Sequence, residues 1–153
     1  MKILEILDRR FIVPNLTSRG KEGVLRELVR AIAQAEKQVD EERMVEILLE
    51  RENLGSTGIG EGVAIPHGKS KAVTKLLASF GRSVPGMDFQ SLDGKPTHLF
   101  FLLVAPEDSA GIHLKALARI SRLMKDASFR KRLMEAETGD EIYAVFAEGD
   151  ENF

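Results

Sequence analysis

Three histidines, His67, His98 and His113, carry most of the reactive potential of this 153-residue chain, which has no cysteine. Without a thiol, disulfides, thiolate catalysis and Cys-ligated metals are excluded together. A side chain with an ordinary pKa near 6.5 is largely neutral at physiological pH and offers a lone pair for nucleophilic attack, base catalysis or metal ligation. His67 stands between Pro66 and Gly68. Pro66 fixes its own φ and drives Ile65 into extended geometry, while Gly68 lets the backbone come close to whatever the imidazole touches. This predicts a ring held at a strand end and projecting into a cleft; a histidine that merely ends a strand is the plain alternative. His113 follows residues 107–112 and opens a helix carrying Leu114 and Leu117. In a first turn it meets the positive end of the helix dipole, which lowers its pKa and favours the neutral ring. A neutral ring has one donor and one acceptor, enough to orient an anion or a second imidazole; the plain alternative is a surface residue. His98 opens an apolar strand and reads as structural or solvent-facing. Arg51 ends a helix just before a glycine-rich run, where the bland role is to meet the helix dipole and solvent.

Several sharper chemistries fail on spacing. Gly58, Gly60 and Gly62 imitate a dinucleotide fingerprint, but G-x-G-x-x-G requires glycine at Val63, and no helix pattern follows. There is no G-x-x-x-x-G-K-[ST] loop and no H-E-x-x-H pair. A zinc site from His67, His98 and His113 would need three rings from distant segments to converge, and His98 lies at the opposite end of its strand from Pro106. Asn15-Leu16-Thr17 spells a glycosylation sequon that is void without secretion.

The elements that must position these side chains read as follows. Ile3, Leu4, Ile6 and Leu7 form a helical stripe, and Phe11 to Val13 a short extended piece ending in a turn at Pro14-Asn15. From Gly20 to Gln38, the intervals of Val24, Leu25, Leu28, Val29, Ile32 and Ala35 describe an amphipathic helix. Asp40 caps a second helix that runs to about Arg51. The stretch from Gly55 to Gly68, with its five glycines, is mostly loop around a short strand at Val63 to Ile65. Thr74 to Ser83 and Thr97 to Ala105 are strands, the second apolar almost throughout and so expected to be covered on both faces. Between them Pro85-Gly86 and Asp93-Gly94 mark turns. Beyond Pro106, Leu114, Leu117, Ala118, Ser121 and Met124 share a helix face. Asp126 caps a helix with Phe129, Leu133 and Met134, and Thr138 with Glu141 forms a capping box for a last helix at Ile142 to Phe146. The expectation is one α/β domain spanning residues 1–153, without a linker, whose mixed β-sheet is flanked by helices on both faces.

Twenty-two basic against twenty-four acidic residues leave a net charge of −2, which gives no footprint for a polyanion and disfavours nucleic acid as a partner. The longest apolar runs fall far short of the roughly 20 residues that span a bilayer, and the charged N-terminus does not read as a signal peptide. A cytoplasmic protein with no direct membrane insertion is expected.

The run from Gly55 through Ser56, Thr57, Gly58, Ile59, Gly60, Glu61, Gly62, Val63, Ala64, Ile65, Pro66, His67 and Gly68 to Lys69 resembles the active-site signature of the type-2 enzyme IIA domains. These belong to the bacterial phosphoenolpyruvate-dependent sugar phosphotransferase system, fructose–mannitol class. Leu48-Leu49-Glu50-Arg51-Glu52 precedes it where that family carries a site arginine, and His113-Leu114 falls where it carries a second histidine. Residues 98–106, 113–126 and 128–133 are similar to the family's second half, so the resemblance spans about residues 2–147. The wording S-T-G-I-G-x-G-x-A-I-P-H-G-K is most similar to the nitrogen-regulatory branch; Gly55 before Ser56-Thr57 is a departure that leaves the histidines and arginine untouched.

The resemblance implies a phosphotransferase in which Nε2 of His67 accepts a phosphoryl group from a histidine phosphocarrier protein, itself charged by an enzyme I. If Nδ1–H is held by a carbonyl or side-chain acceptor, Nε2 is left as the nucleophile. Phosphoryl transfer is mostly positioning and electrostatics, so Arg51, His113 and the amides around Gly68 are the expected donors to the phosphoryl oxygens, with Lys69 a lesser one. No cofactor, nucleotide or metal is implied. Downstream, the resemblance implies either regulatory target proteins or a IIB domain that passes phosphate to an entering sugar. The motif wording and the absence of a fused IIB or membrane domain point to nitrogen or potassium regulation.

Overall fold

A computed structural model describes residues 1–152. A 3-10 turn at Ile3–Glu5 leads into the strands β1 (Leu7–Val13), β2 (Gly58–Gly60), β3 (Val63–Ala64), β4 (His67–Ser70), β5 (Leu77–Met87) and β6 (Thr97–Pro106). The helices are α1 (Lys21–Ala33), α2 (Glu41–Asn53), α3 (Ala110–Lys125), α4 (Ala127–Glu135) and α5 (Gly139–Asn152). The strands form one mixed sheet in the order β1-β5-β6-β3-β2, with β4 also paired to β6. The apolar β5 and β6 run antiparallel at its centre, β1 lies parallel to β5, and β3 and β4 lie in succession parallel to β6.

Alternation along the strands assigns the helices to their faces. Gly81 lies opposite Phe100, and a Cβ on it would meet Leu28 of α1 at 2.8 Å. Gly68 lies opposite Val104 on that same face, and a Cβ there would meet Ile47 of α2 at 3.0 Å. The next residues over face the other way. Phe80 and Phe101 pack on Phe146 of α5 with ring centroids 5.0 and 5.7 Å away, and Phe129 of α4 closes the cluster at 5.5 Å. Each such edge-on pair contributes about 0.5–1.5 kcal/mol beyond its area burial. Helices therefore cover both faces, as expected.

The caps form as read: Asp40 accepts from the Arg43 amide, Asp126 from the Phe129 amide, and Glu141 N–H is bound by Thr138 Oγ1. Other expectations are corrected. The N-terminal stripe is not a helix, because Leu7 and Ile12 pair with Ala78 and Phe80 of β5. The carboxylate of Asp150 accepts the amides of Ile3 (2.7 Å) and Leu4 (3.0 Å) and pairs with Arg119 (3.4 Å), fixing the preceding turn. Pro85-Gly86 is no hairpin turn: β5 continues to Met87 through a register shift, with Gly86 at φ +80 and His98 Cε1 only 2.7 Å from where its Cβ would sit. The glycine-rich run contains β2 and β4 as well as β3, and the last helix extends from Gly139 to Asn152. On α3 the core face is His113, Ala116, Ile120, Leu123 and Met124, whereas Leu114 is 66% exposed. Arg82 is buried and donates to the carbonyls of Pro14, Leu133 and Ala136, tying β5 to the C-terminal end of α4.

Candidate functional site

His67 opens β4, which pairs only with β6. The bond from Leu103 N–H to the Pro66 carbonyl (2.9 Å) and the pairing of His67 with Leu103 hold it against the central strand. Its Nδ1 lies 2.9 Å from the carbonyl oxygen of Ile65. A carbonyl has no hydrogen to give, so Nδ1 carries the proton and donates it, and Nε2 presents a lone pair. The extended geometry that Pro66 forces on Ile65 brings that carbonyl under the ring. Gly68, next along the strand, faces the opposite way. Its missing side chain makes room for Met44, Ile47 and Leu48 of α2 rather than for a ligand.

His113 reaches the same place from the other layer. Its amide bonds the Ser109 carbonyl at 2.9 Å in the first turn of α3, and its ring meets that of His67 edge-on with centroids 5.4 Å apart. The residue is 8% exposed, and its Nε2 is buried without a hydrogen-bond partner among the described residues. A buried polar atom without a partner is costly, and this one borders the cleft in which His67 presents its lone pair. Arg51, in the last turn of α2, donates from Nη1 to the Gly55 carbonyl at 2.8 Å. These elements surround an open cleft of about 450 Å³ lined by Ile47, Arg51, Leu54, His67, Lys69 and His113, among others. Leu54 beside it is 85% exposed, Glu50 and Lys69 add charge to its lining, and the exposed Ile112 and Leu114 flank His113 in the chain.

Burial holds the pKa of His67 below the ordinary 6.5, and the Arg51 charge pushes the same way against the Ile65 bond and the Glu52 charge. His113 is also lowered, first by burial and then by the nearby His67 and Lys69; helix-dipole reasoning gave the same direction from another cause. Both rings are thus biased toward the neutral form.

The structure brings together Arg51, His67, Gly68, Lys69 and His113. His98 lies elsewhere, with Nδ1 bound to the Ser83 carbonyl at 3.0 Å, beside Glu61 and Arg130. Sequence reasoning overlooked Glu52. Its side chain is 2% exposed and accepts from the Thr57 amide (3.1 Å), the Thr57 hydroxyl and Lys21 Nζ (3.1 Å). The signal was available: Glu52 continues the buried stripe Val45–Leu48 at helical spacing, where a carboxylate needs partners.

Fold and cleft define an α/β protein in which a histidine with a fixed tautomer at a sheet edge meets a second imidazole and shares its cleft with a guanidinium. Residues 5–149 match the family model for the EIIA 2 component of the phosphoenolpyruvate-dependent sugar phosphotransferase system, and the chain belongs to that family. A fructose-specific EIIABC component of Bacillus subtilis is 43% identical over 150 residues, which cover 98% of this chain but 24% of that protein. A nitrogen regulatory protein of Bradyrhizobium diazoefficiens is 42% identical over 147 residues, covering 96% of this chain and 95% of that protein. The crystal structure of nitrogen regulatory protein IIA-Ntr from Neisseria meningitidis has a TM-score of 0.87 at 33% identity, covering 94% of this chain and 98% of that one. Among the described residues no helix is long and apolar enough to cross a membrane.

Proposed function

We propose that this chain is a phosphoryl carrier whose acceptor is Nε2 of His67, charged by a histidine phosphocarrier protein and serving a nitrogen-regulatory IIA role in the cytoplasm. The observation that carries the reading is the Nδ1–H bond to the Ile65 carbonyl, which leaves Nε2 as the free lone pair in an open cleft. In the transfer, Nε2 attacks phosphorus and a P–Nε2 bond forms as the bond from phosphorus to the donor's histidine breaks. The positive charge that develops on the ring is met through Nδ1–H by the same carbonyl. Arg51 supplies a planar fork for the phosphoryl oxygens. The orphaned Nε2 of His113 is a donor to them when it carries the proton. Lys69 adds a screened charge at the rim, and Gly68 contributes backbone only. The exposed apolar side chains of Leu54 at the cleft and of Ile112 and Leu114 beside His113 in the chain suit the transient docking of an upstream carrier or a downstream protein.

The regulatory role is supported by the motif wording and by several nitrogen regulatory relatives, including the Bradyrhizobium protein and the Neisseria structure. A second reading, a transport component that hands phosphate to a IIB domain, is supported by the 43% identity to the fructose-specific protein. The test is labelling from phosphoenolpyruvate through purified enzyme I and phosphocarrier. Wild type should take up one phosphoryl group, and folded His67→Ala none; stable labelling of folded His67→Ala would overturn the assignment. Rapid discharge to a fructose-type IIB domain would decide for transport.

A further inference from the structure

We propose that Glu52 is a positioning residue for His67, acting through an unbroken run of hydrogen bonds that ends on the imidazole; this rests on the phosphoryl-acceptor reading above. The run begins at Lys21 of α1, whose ammonium lies 3.1 Å from Glu52 Oε1, 3.1 Å from Gln90 Oε1 and 4.7 Å from the centre of the Phe89 ring. Glu52 binds both the amide and the hydroxyl of Thr57. The Thr57 carbonyl accepts the Ile65 amide at 3.0 Å, and the Ile65 carbonyl accepts His67 Nδ1–H at 2.9 Å. The carbonyl that selects the tautomer thus belongs to the residue whose own amide is held by the Thr57 carbonyl, and Thr57 is gripped by a buried carboxylate.

Arg51 and Glu52 divide the work by their places on α2. One residue apart, they project about 100° apart around the helix. Arg51 faces the cleft and bonds the Gly55 carbonyl, while Glu52 turns inward and bonds Thr57. Both ends of the 55–57 segment are therefore fixed by adjacent residues of one helix. Gly55, with φ +151, supplies the backbone freedom to connect them. An apolar residue at 52 would extend the core stripe but leave the Thr57 amide and hydroxyl buried without acceptors. The carboxylate is therefore used to locate the loop under the imidazole, as partners behind a ligating histidine fix its ring and tautomer.

The test separates positioning from simple stabilisation. The full chain, labelled with 15N-histidine and left unphosphorylated, is compared as wild type, Glu52→Ala, Glu52→Gln and Thr57→Val. Each variant is measured for thermal stability, for the His67 tautomer by long-range 1H–15N correlation above pH 7.5, and for transfer from phosphorylated carrier. Wild type should show a single Nδ1–H tautomer. Glu52→Ala should show a mixture and lose about tenfold or more in kcat, because small misplacements of a reacting group are costly. KM for the carrier should change little. Glu52→Gln keeps an acceptor for the Thr57 amide and should recover most of the rate. Thr57→Val loses only the hydroxyl and should move tautomer and rate less, in the same direction; it decides the matter if Glu52→Ala does not fold. A folded variant lacking the grip, with a single Nδ1–H tautomer and wild-type kcat, would overturn the proposal and leave Glu52 a stability anchor. Wild type that accepts no label at all would instead overturn the phosphoryl-carrier reading, and the tautomer comparison would still decide the role of Glu52.

Discussion

Replacing Arg51 by alanine separates its two possible duties by size. Among the described residues its one side-chain hydrogen bond runs 2.8 Å to the Gly55 carbonyl at a solvent-facing site. A bond of that kind contributes about 0.5–1.5 kcal/mol, and at this chain length each kcal/mol moves Tm by about 2–4 °C. If capping were the whole role, Arg51→Ala would melt at most about 6 °C lower and still accept phosphate at the wild-type rate. As a donor to the transferring phosphoryl group, its loss should resemble the removal of an oxyanion donor, about 100-fold or more in rate. An open cleft places the expected value near the lower end of that range. Arg51→Lys restores charge without the fork and should recover only part of the rate. The assay pairs thermal melting with rapid-quench labelling from phosphorylated carrier at one temperature, well below either transition. A rate within twofold of wild type, together with the predicted few degrees of lost Tm, would refute the phosphoryl contact and leave Arg51 as a helix terminator.

Two further outcomes are expected. Burial holds the pKa of folded His67 and His113 below the 6.5 of a free ring, so the unfolded chain takes up these protons first. Stability should be highest above pH 6.5, fall as pH drops from there toward the folded values, and level off below them. Phosphoryl acceptance should persist to lower pH than for a free imidazole, and urea titrations of wild type against His67→Ala/His113→Ala should show this pH dependence diminished in the double variant. Asp150→Ala removes the carboxylate that holds Ile3, Leu4 and Arg119. It should cost about 3–5 kcal/mol, lowering Tm by about 6–20 °C, while labelling of His67 at 20 °C stays within twofold of wild type. Loss of labelling in the folded variant would show that this clamp is not independent of the cleft.

Local signals in the chain were readable, and distant ones were not. The caps at Asp40, Asp126 and Thr138 are decided within four residues, and the structure has them. The stripe from Val24 to Ile32 likewise predicts the buried face of α1. The N-terminal segment misled because Ile3, Leu4, Ile6 and Leu7 do have helical spacing. Its conformation is set instead by Asp150, 147 residues away, and by β5. On α3 the face shared by Leu114, Leu117, Ala118, Ser121 and Met124 is not the buried one: Leu114 is 66% exposed, and the buried side chains are His113, Ala116, Ile120, Leu123 and Met124. His67 stood out because Pro66 and Gly68 constrain its backbone locally, whereas Arg51 and His113 were marked as its companions by the family resemblance. Glu52 was passed over: its spacing from Val45 and Leu48 puts it on the buried stripe of α2, but the partners that hold its carboxylate, Lys21 and Thr57, come into view only in the fold.

The opposed facings of His67 and Gly68 make chain length between β3 and β4 a carrier of information. Inserting one residue between Ala64 and His67 would exchange the two sides of the strand wherever β4 takes it up as a one-residue slip against β6. The imidazole would then be driven toward Ile47 and Met44, where even a Cβ would lie 3.0 Å from Ile47, and glycine would occupy the place beside His113. A deletion would do the same. The loop between β5 and β6 carries no such parity, because no residue of the cleft lies beyond it in a strand of reversed facing. Spacing between β3 and β4 is therefore as strict a requirement as the identity of the histidine, and the Ile65-Pro66 step is where one is converted into the other.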